Sequence, residues 1–281
     1  MNYFDENTDE DQIRKHRIAS VQSYQSALTD IESVIKIYKS ISDLNTITGR
    51  LYMIMTPNRS CLLGNELLDS TVMTLKNIKS CMANGGLSDA YTLLRKVRDE
   101  SLLFLYFLTI VKAHYSKRVE INEQIKDLFD WYDSKISFTK NEDIFNYIRG
   151  YQNVKSVLSE LKLDSEWETL RVKLNDYVHT KGRQNAFSNY SQIYDYEIGF
   201  DEFSDDIKYV AVSFICILLM IDSTIIMSTD YIDHLEMNMT PPEGTQYKVA
   251  PVVQDFINIY LKSYNNELVS LIKETSVMNI K

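Results

Sequence analysis

Leu102-Leu103-Phe104-Leu105-Tyr106-Phe107-Leu108-Thr109-Ile110-Val111 is the run on which the fold turns. It is apolar on nearly every face, so it reads as the second half of a central, buried helix over about 89–115. Ser88 reads as the N-cap of that helix. Upstream, Asn84-Gly85-Gly86 stops an amphipathic helix over 62–82 that carries Leu67, Leu68, Val72, Leu75 and Ile78 on one side. A glycine there supplies the left-handed residue of a C-cap. Further back, Val21, Tyr24, Leu28, Ile31, Ile35 and Tyr38 recur at alternating spacings of three and four. That a/d stripe suits packing on the chain's own domain, the preferred reading, or on a partner helix. Between the two helices, Gly49, Pro57 and Asn58 interrupt the helical pattern, and 51–55 reads as a short strand.

Downstream, the pattern predicts helices over 120–136, 142–161 and 165–180, the last ended by Lys181-Gly182-Arg183. An irregular aromatic stretch over 190–203 precedes one long helix over 206–235. Pro241-Pro242-Glu243-Gly244 marks a loop, and Val249 or Pro251 opens a last helix to about Thr275, proline being tolerated in a first turn. The reading is all-α: a helical-bundle core over 61–281 preceded by an acidic tail and helical extension over 1–60. No internal repeat is visible.

Composition agrees. The 281 residues include 8 Gly and 4 Pro, less than half the usual share of roughly 7% and 5%. Turn-rich sandwiches and barrels need more of both. The hydrophobic content of 44% suffices for a sizeable core and is too high for a disordered chain. The formal net charge of −9 argues against a protein that grips duplex DNA, because phosphate neutralisation supplies most of that affinity. Arg14-Lys15-His16-Arg17 follows the acidic run from Asp5 to Asp11 and reads as part of a solvated helix.

Cys61, Cys81 and Cys216 are isolated and odd in number, and His16, His114, His179 and His234 form no metal-ligand spacing. No metal and no cofactor are expected. An acidic start without a signal-peptide pattern, together with unpaired cysteines, predicts a cytoplasmic protein. Tyr209 to Ile221 is free of charge but short of the roughly 20 residues a membrane span needs, and Asp222 follows it. It reads as a core helix, with no membrane association.

Phosphate loops and nucleophile elbows are absent. Two segments carry the remaining chemistry. In Leu93-Leu94-Arg95-Lys96-Val97-Arg98-Asp99-Glu100, Arg95 and Asp99 are four apart and can pair, with Arg98 flanking. They serve either as a structural ion pair or as positioned cations for a phosphate or carboxylate. In the second segment, Trp167, Leu170, Leu174, Tyr177 and Val178 form a core stripe. Arg171, Asn175 and His179 follow at i+4 on a polar side beside Glu168. His179 stands at a helix C-terminus, where it either caps the helix or acts as a general acid/base.

Leu-Leu-Arg-x-x-x-Asp before a long apolar helix, and a later helix ending Leu174-Asn175-Asp176-Tyr177-Val178-His179, resemble uncharacterised bacterial proteins with an all-α core similar to the HEPN superfamily. The resemblance covers about 62–235. It implies a helical bundle, often dimeric, that acts as a metal-independent endoribonuclease of defence or stress systems or as an inactive binding module. Asn175 and His179 match the polar residue and the histidine of that family's signature, whereas Leu174 stands where its arginine belongs. Under the ribonuclease reading, His179 is the acid/base, Asn175 orients it and Arg95 steadies the phosphorane charge. Arg98, Arg171, Lys173 and Arg183 remain as substrate-binding cations. The alternative is a non-catalytic module that dimerises or binds a protein partner, its Arg/Asp/Asn/His cluster being structural. RNA, a protein or a second copy are the partners under consideration.

Overall fold

The computed structural model describes residues 6–47, 52–55, 60–63, 65–117, 123–136, 141–151, 154–162, 165–189 and 196–281. Among the described residues the fold is all-α apart from one small hairpin. In chain order it comprises α1 (Glu6–Ala19), α2 (Gln22–Ile47), β1 (Tyr52–Met55), β2 (Ser60–Leu63), α3 (Asn65–Ala83), α4 (Leu87–Lys117), α5 (Glu123–Tyr132), α6 (Asn141–Arg149), α7 (Val154–Glu160), α8 (Glu166–Val178), α9 (Arg183–Phe187) and α10 (Tyr196–Asp222). A 3-10 turn (Ser223–Ile226) leads to α11 (Asp230–Glu236) and a second 3-10 turn (Thr245–Tyr247). Then come α12 (Pro251–Phe256), a π turn (Ile257–Leu261), α13 (Lys262–Tyr264) and α14 (Asn266–Thr275). The strands pair antiparallel with Tyr52 opposite Leu63 and Met55 opposite Ser60. Leu62 and Leu63 therefore belong to a strand rather than to the following helix.

The chain forms two compact units, neither continuous in sequence. One gathers the described residues of Met1–Lys36, Thr71–Arg98 and Asp164–Ala211; the other gathers those of Ile37–Ser70, Asp99–Leu163 and Val212–Lys281.

In the first unit, Ala27, Ile31, Leu75, Ile78, Met82, Leu94, Leu174, Phe200, Phe203 and Ile207 are fully buried. Removing a side chain of this size from water is worth roughly 1.5–3 kcal/mol. Up to Lys36 the buried face of α2 runs through Tyr24, Ala27, Ile31 and Val34, so Leu28 and Ile35 flank the stripe. Ser88 does not cap α4: the helix begins at Leu87, and the free Ser88 N–H donates to Asn189 Oδ1 at 2.8 Å. The cap is thus supplied by a residue distant in sequence, which no local pattern announces. Tyr196, Phe200 and Phe203, expected in irregular chain, are buried on α10; Tyr190 and Tyr194 lie outside the described residues.

The second unit holds the apolar run of α4. From Leu102 to Val111 every side chain except Leu103 is buried. Tyr38 stacks on Phe214 at 4.6 Å, and its hydroxyl lies 2.7 Å from Ser101 Oγ. The stretch 206–235 is not one helix, because Asp222 leaves helical geometry (φ −151°, ψ 87°) and caps the 3-10 turn through Thr224 N–H. Gly150 separates α6 from α7. Asn265, extended at φ −160°, accepts from the N–H groups of Glu267 and Leu268 and starts α14 anew. Asn and Asp favour such caps over helix interiors. The stretch Tyr196–Ile226 is long and apolar enough to cross a membrane, yet 89% of its most apolar window is buried in the protein. That is the pattern of a core helix.

Gly85, at φ +74°, ends α3, and an added Cβ would lie 2.7 Å from Tyr196 Oη and 2.8 Å from Ile18 Cδ1. Gly85→Ala should cost about 2–3 kcal/mol by urea titration, combining the left-handed penalty with overpacking. Burial pushes the Asp222 carboxyl up. The Lys112 ammonium at 3.0 Å and hydrogen bonds from Thr224 outweigh it, and the carboxyl sits below its ordinary value of 3.8. A depressed carboxyl contributes stability above that ordinary value, and the contribution is lost as pH falls through the folded value. Asp222→Asn should lower stability by about 2 kcal/mol at pH 7 and flatten its decline below about pH 4, as read from denaturation midpoints across pH.

Candidate functional site

Helix α8, with the segments of α4 and α10 in the same unit, carries most of the polar residues singled out in the sequence. Its inward stripe is Leu170, Leu174 and Tyr177, all buried, with Leu174 fully so. Wound at 3.6 residues per turn, the helix leaves Arg171 and His179 exposed and Lys173 and Asn175 half-buried.

Arg171 faces solvent and is tied to Glu168 by two parallel hydrogen bonds, the one from Nε to Oε2 being 2.6 Å. The Arg171 hydrogen bonds hold the Glu168 carboxyl below its usual range. Lys173 turns toward α10. Its Nζ donates to Asp206 Oδ2 at 2.8 Å and Glu202 Oε2 at 3.1 Å and sits 4.9 Å from the centroid of the Tyr91 ring. Tyr91 stacks on Tyr177 at 4.1 Å, meets Phe203 edge-on at 4.9 Å and donates its hydroxyl to Asp206 Oδ2 at 3.0 Å. Burial raises the Asp206 carboxyl above the ordinary carboxylate value despite Lys173 and Tyr91. Lys173, although desolvated, is held above its ordinary value by Asp206 and Glu202. Burial and the neighbouring Asp206 push the Tyr91 phenol well up, so Tyr91 stays a hydrogen-bond donor.

Arg98 is 1% exposed, with its guanidinium 5.8 Å from the centroid of the Trp167 ring. Arg95 is half-buried on α4, and Arg183 is exposed on α9. Asn175 Oδ1 is buried without a hydrogen-bond partner. His179 is exposed, and its backbone N–H donates to Asn175 O at 3.0 Å. Asn175 and His179 are thus joined through the backbone, one turn apart. Lys173, by contrast, is drawn into an internal network that spacing along α8 did not reveal. The signal for that network lay elsewhere: Tyr91 and Asp206 sit on helices read in the sequence as plain core and long helix, and Glu202 in a stretch read as irregular but found on α10.

The end of α8 is unusual. The Lys181 N–H bonds to Asp176 O at 2.8 Å and the Thr180 N–H to Tyr177 O at 3.2 Å, a Schellman ending. The left-handed residue in it is Thr180 (φ 47°), not the Gly182 that the sequence offers two residues later. A β-branched residue in that region is strained.

The same unit also holds a cleft of about 340 Å³ lined by Arg14, Cys81, Asn84, Asp89 and Asn189. Burial and Asp89 push the Cys81 thiol up, away from the reactive thiolate. Among the described residues, no group of three His, Cys, Asp or Glu side chains could hold a metal ion. No protein-family model matches the chain, and neither a curated protein nor a solved structure does.

Thr180→Gly should stabilise the protein by about 1 kcal/mol in chemical denaturation, by relieving the left-handed strain. Lys173→Met should destabilise it by about 2 kcal/mol at pH 7, where Asp206 would be left charged without its cation. The deficit should shrink as pH falls and the raised carboxyl takes up a proton, so the two melting curves should converge on acidification.

Proposed function

We propose that this protein is a non-catalytic, HEPN-like helical module that works by binding a protein partner, a second copy of itself included. One observation carries the reading. Cations that would clamp a phosphate are committed within the first unit: Arg171 to Glu168, Lys173 to Asp206 and Glu202, and Arg98 to burial against Trp167. Leu174, where the family's signature carries arginine, is a core residue. A net charge of −9 also disfavours steering toward a polyanion.

The ribonuclease reading retains one favourable feature: His179 and Arg183 are both exposed beyond the last turn of α8. Under it His179 would move the 2′-hydroxyl proton, Asn175 would orient it, and Arg95 or Arg183 would face the phosphate. Labelled single-stranded RNA incubated with the purified protein in EDTA, beside His179→Ala, separates the two. The expected result is intact RNA in both samples. Cleavage by the wild type that disappears in His179→Ala would overturn the module reading. Sedimentation velocity on the full chain, alone and with candidate partners, then reports association directly.

A further inference from the structure

In the second unit, helix α11 and the loop that follows it expose a run of large apolar side chains. Leu235 is 49% exposed, Met237 72% and Met239 54%, within five consecutive residues. Tyr247 (44%) is in the 3-10 turn that packs against α11, and Val277 (60%) belongs to the C-terminal segment whose Asn279 N–H donates to Tyr247 O at 2.8 Å. Scattered apolar residues on a surface are ordinary, but three large ones exposed within five residues at one helix end are a local concentration.

The backbone beneath these side chains is fixed. Met239 N–H bonds to His234 O at 2.8 Å and Asn238 N–H to Leu235 O at 3.1 Å, with Asn238 left-handed at φ 53°. In a Schellman ending of this kind, the residue at the Met239 position commonly packs back on its helix. Here it points to solvent instead. Pro241 and Pro242 then restrict the loop.

Charge decides what would cover the surface. No Lys or Arg occurs between Lys208 and Lys248, whereas Asp230, Asp233, Glu236 and Glu243 all fall on α11 or its loop. Lys248 is tied to Asp230. Asp233, Glu236 and Glu243 are exposed. A second copy would bring the same carboxylates face to face across an isologous contact, and RNA or an anionic membrane would be repelled outright. A cationic apolar partner gains on both counts, and methionine's flexible side chain suits re-packing against a helix.

We infer that Leu235, Met237 and Met239, flanked by Asp233, Glu236 and Glu243, form a docking surface for a basic amphipathic helix of another protein. This rests on the module reading above and names its partner by chemistry. The mode is a helix laid apolar face down, with its lysines or arginines toward the flanking carboxylates.

The test is fluorescence anisotropy on the full chain with two labelled peptides of about five helical turns. Both carry leucine at i, i+3, i+4 and i+7, and their remaining positions are filled with lysine in one and glutamate in the other. The lysine peptide should bind at least tenfold tighter than the glutamate peptide, and its affinity should fall as salt rises. The double variant M237S/M239S should weaken it about tenfold without moving the melting temperature, since both side chains are exposed. The pair E236K/E243K should narrow or invert the preference between the peptides. Ile198→Ser, at an exposed apolar residue of the first unit, should change nothing.

Equal binding of both peptides, or unchanged affinity in M237S/M239S, overturns the proposal. If the lysine peptide fails while sedimentation shows the chain associating with itself or another protein, this surface falls and the module reading stands. If the peptide docks as stated but RNA is cut in a His179-dependent way, the surface stands and the non-catalytic reading falls.

Discussion

The ammonium of Lys173 lies between the carboxylates of Asp206 and Glu202 and over the ring of Tyr91, and what α8 can do follows from that placement. Asp206 is in an aromatic environment made by Tyr91, Tyr177 and Phe203, where an unpaired carboxylate would be expensive. Lys173 and the Tyr91 hydroxyl satisfy the same oxygen, and the ring also takes part of the ammonium's charge. Three groups from three helix segments therefore hold one another in place. A lysine used in this way is not free to meet a ligand phosphate. Helix α8 commits that cation internally, and its other cation, Arg171, is paired with Glu168 one turn back along the same face.

How the helices end is a second constraint, set by composition. α3 ends on Gly85, the residue best suited to a left-handed cap. With 8 glycines in 281 residues, few are left for the other ends. α5, α7, α8 and α11 are followed instead by Ser134, Lys162, Thr180 and Asn238, all at positive φ. Asn tolerates that geometry, whereas Thr and Lys do so at a cost of about 1–2 kcal/mol each. The tertiary packing of the flanking helices must over-determine these turns for them to persist.

That explains what was legible in the sequence. The all-α class, the buried run from Leu102 to Val111, the amphipathic face of α3 and the stop at Gly85 could be read because each rests on local periodicity or on a residue with one conformational talent. The ends of α8 and α11 were placed to within two residues, at 180 and 235, but the residues that take the left-handed turn, Thr180 and Asn238, were not, since neither is a glycine. The breaks at Asp222 and Asn265 went unread because a polar residue inside an apolar pattern is ambiguous until its cap partner is known. The capping of Ser88 by Asn189 spans about a hundred residues and has no local trace. The candidate site divided along the same line: i+4 spacing placed Asn175 and His179 one turn apart, but the partners of Lys173 come from α4 and α10.

Charge distribution carries the argument from fold to recognition. In the first unit the acidic side chains are largely matched by cations from neighbouring positions, as Lys79 meets Glu32 and Lys208 meets Asp30 and Asp205. Such exposed pairs add little stability, about 0–1 kcal/mol each, yet they cancel the local field. Along 209–247 no lysine or arginine is present; Asp222 and Asp230 are met by Lys112 and Lys248 from outside the stretch, whereas Asp233, Glu236 and Glu243 stand exposed on α11 and its loop. Exposed methionines beside uncancelled carboxylates combine two sources of affinity that a partner must answer together, one hydrophobic and one cationic. A surface that requires both rejects nucleic acid by charge and an acidic helix by repulsion, so its selectivity resides as much in what it excludes as in what it attracts.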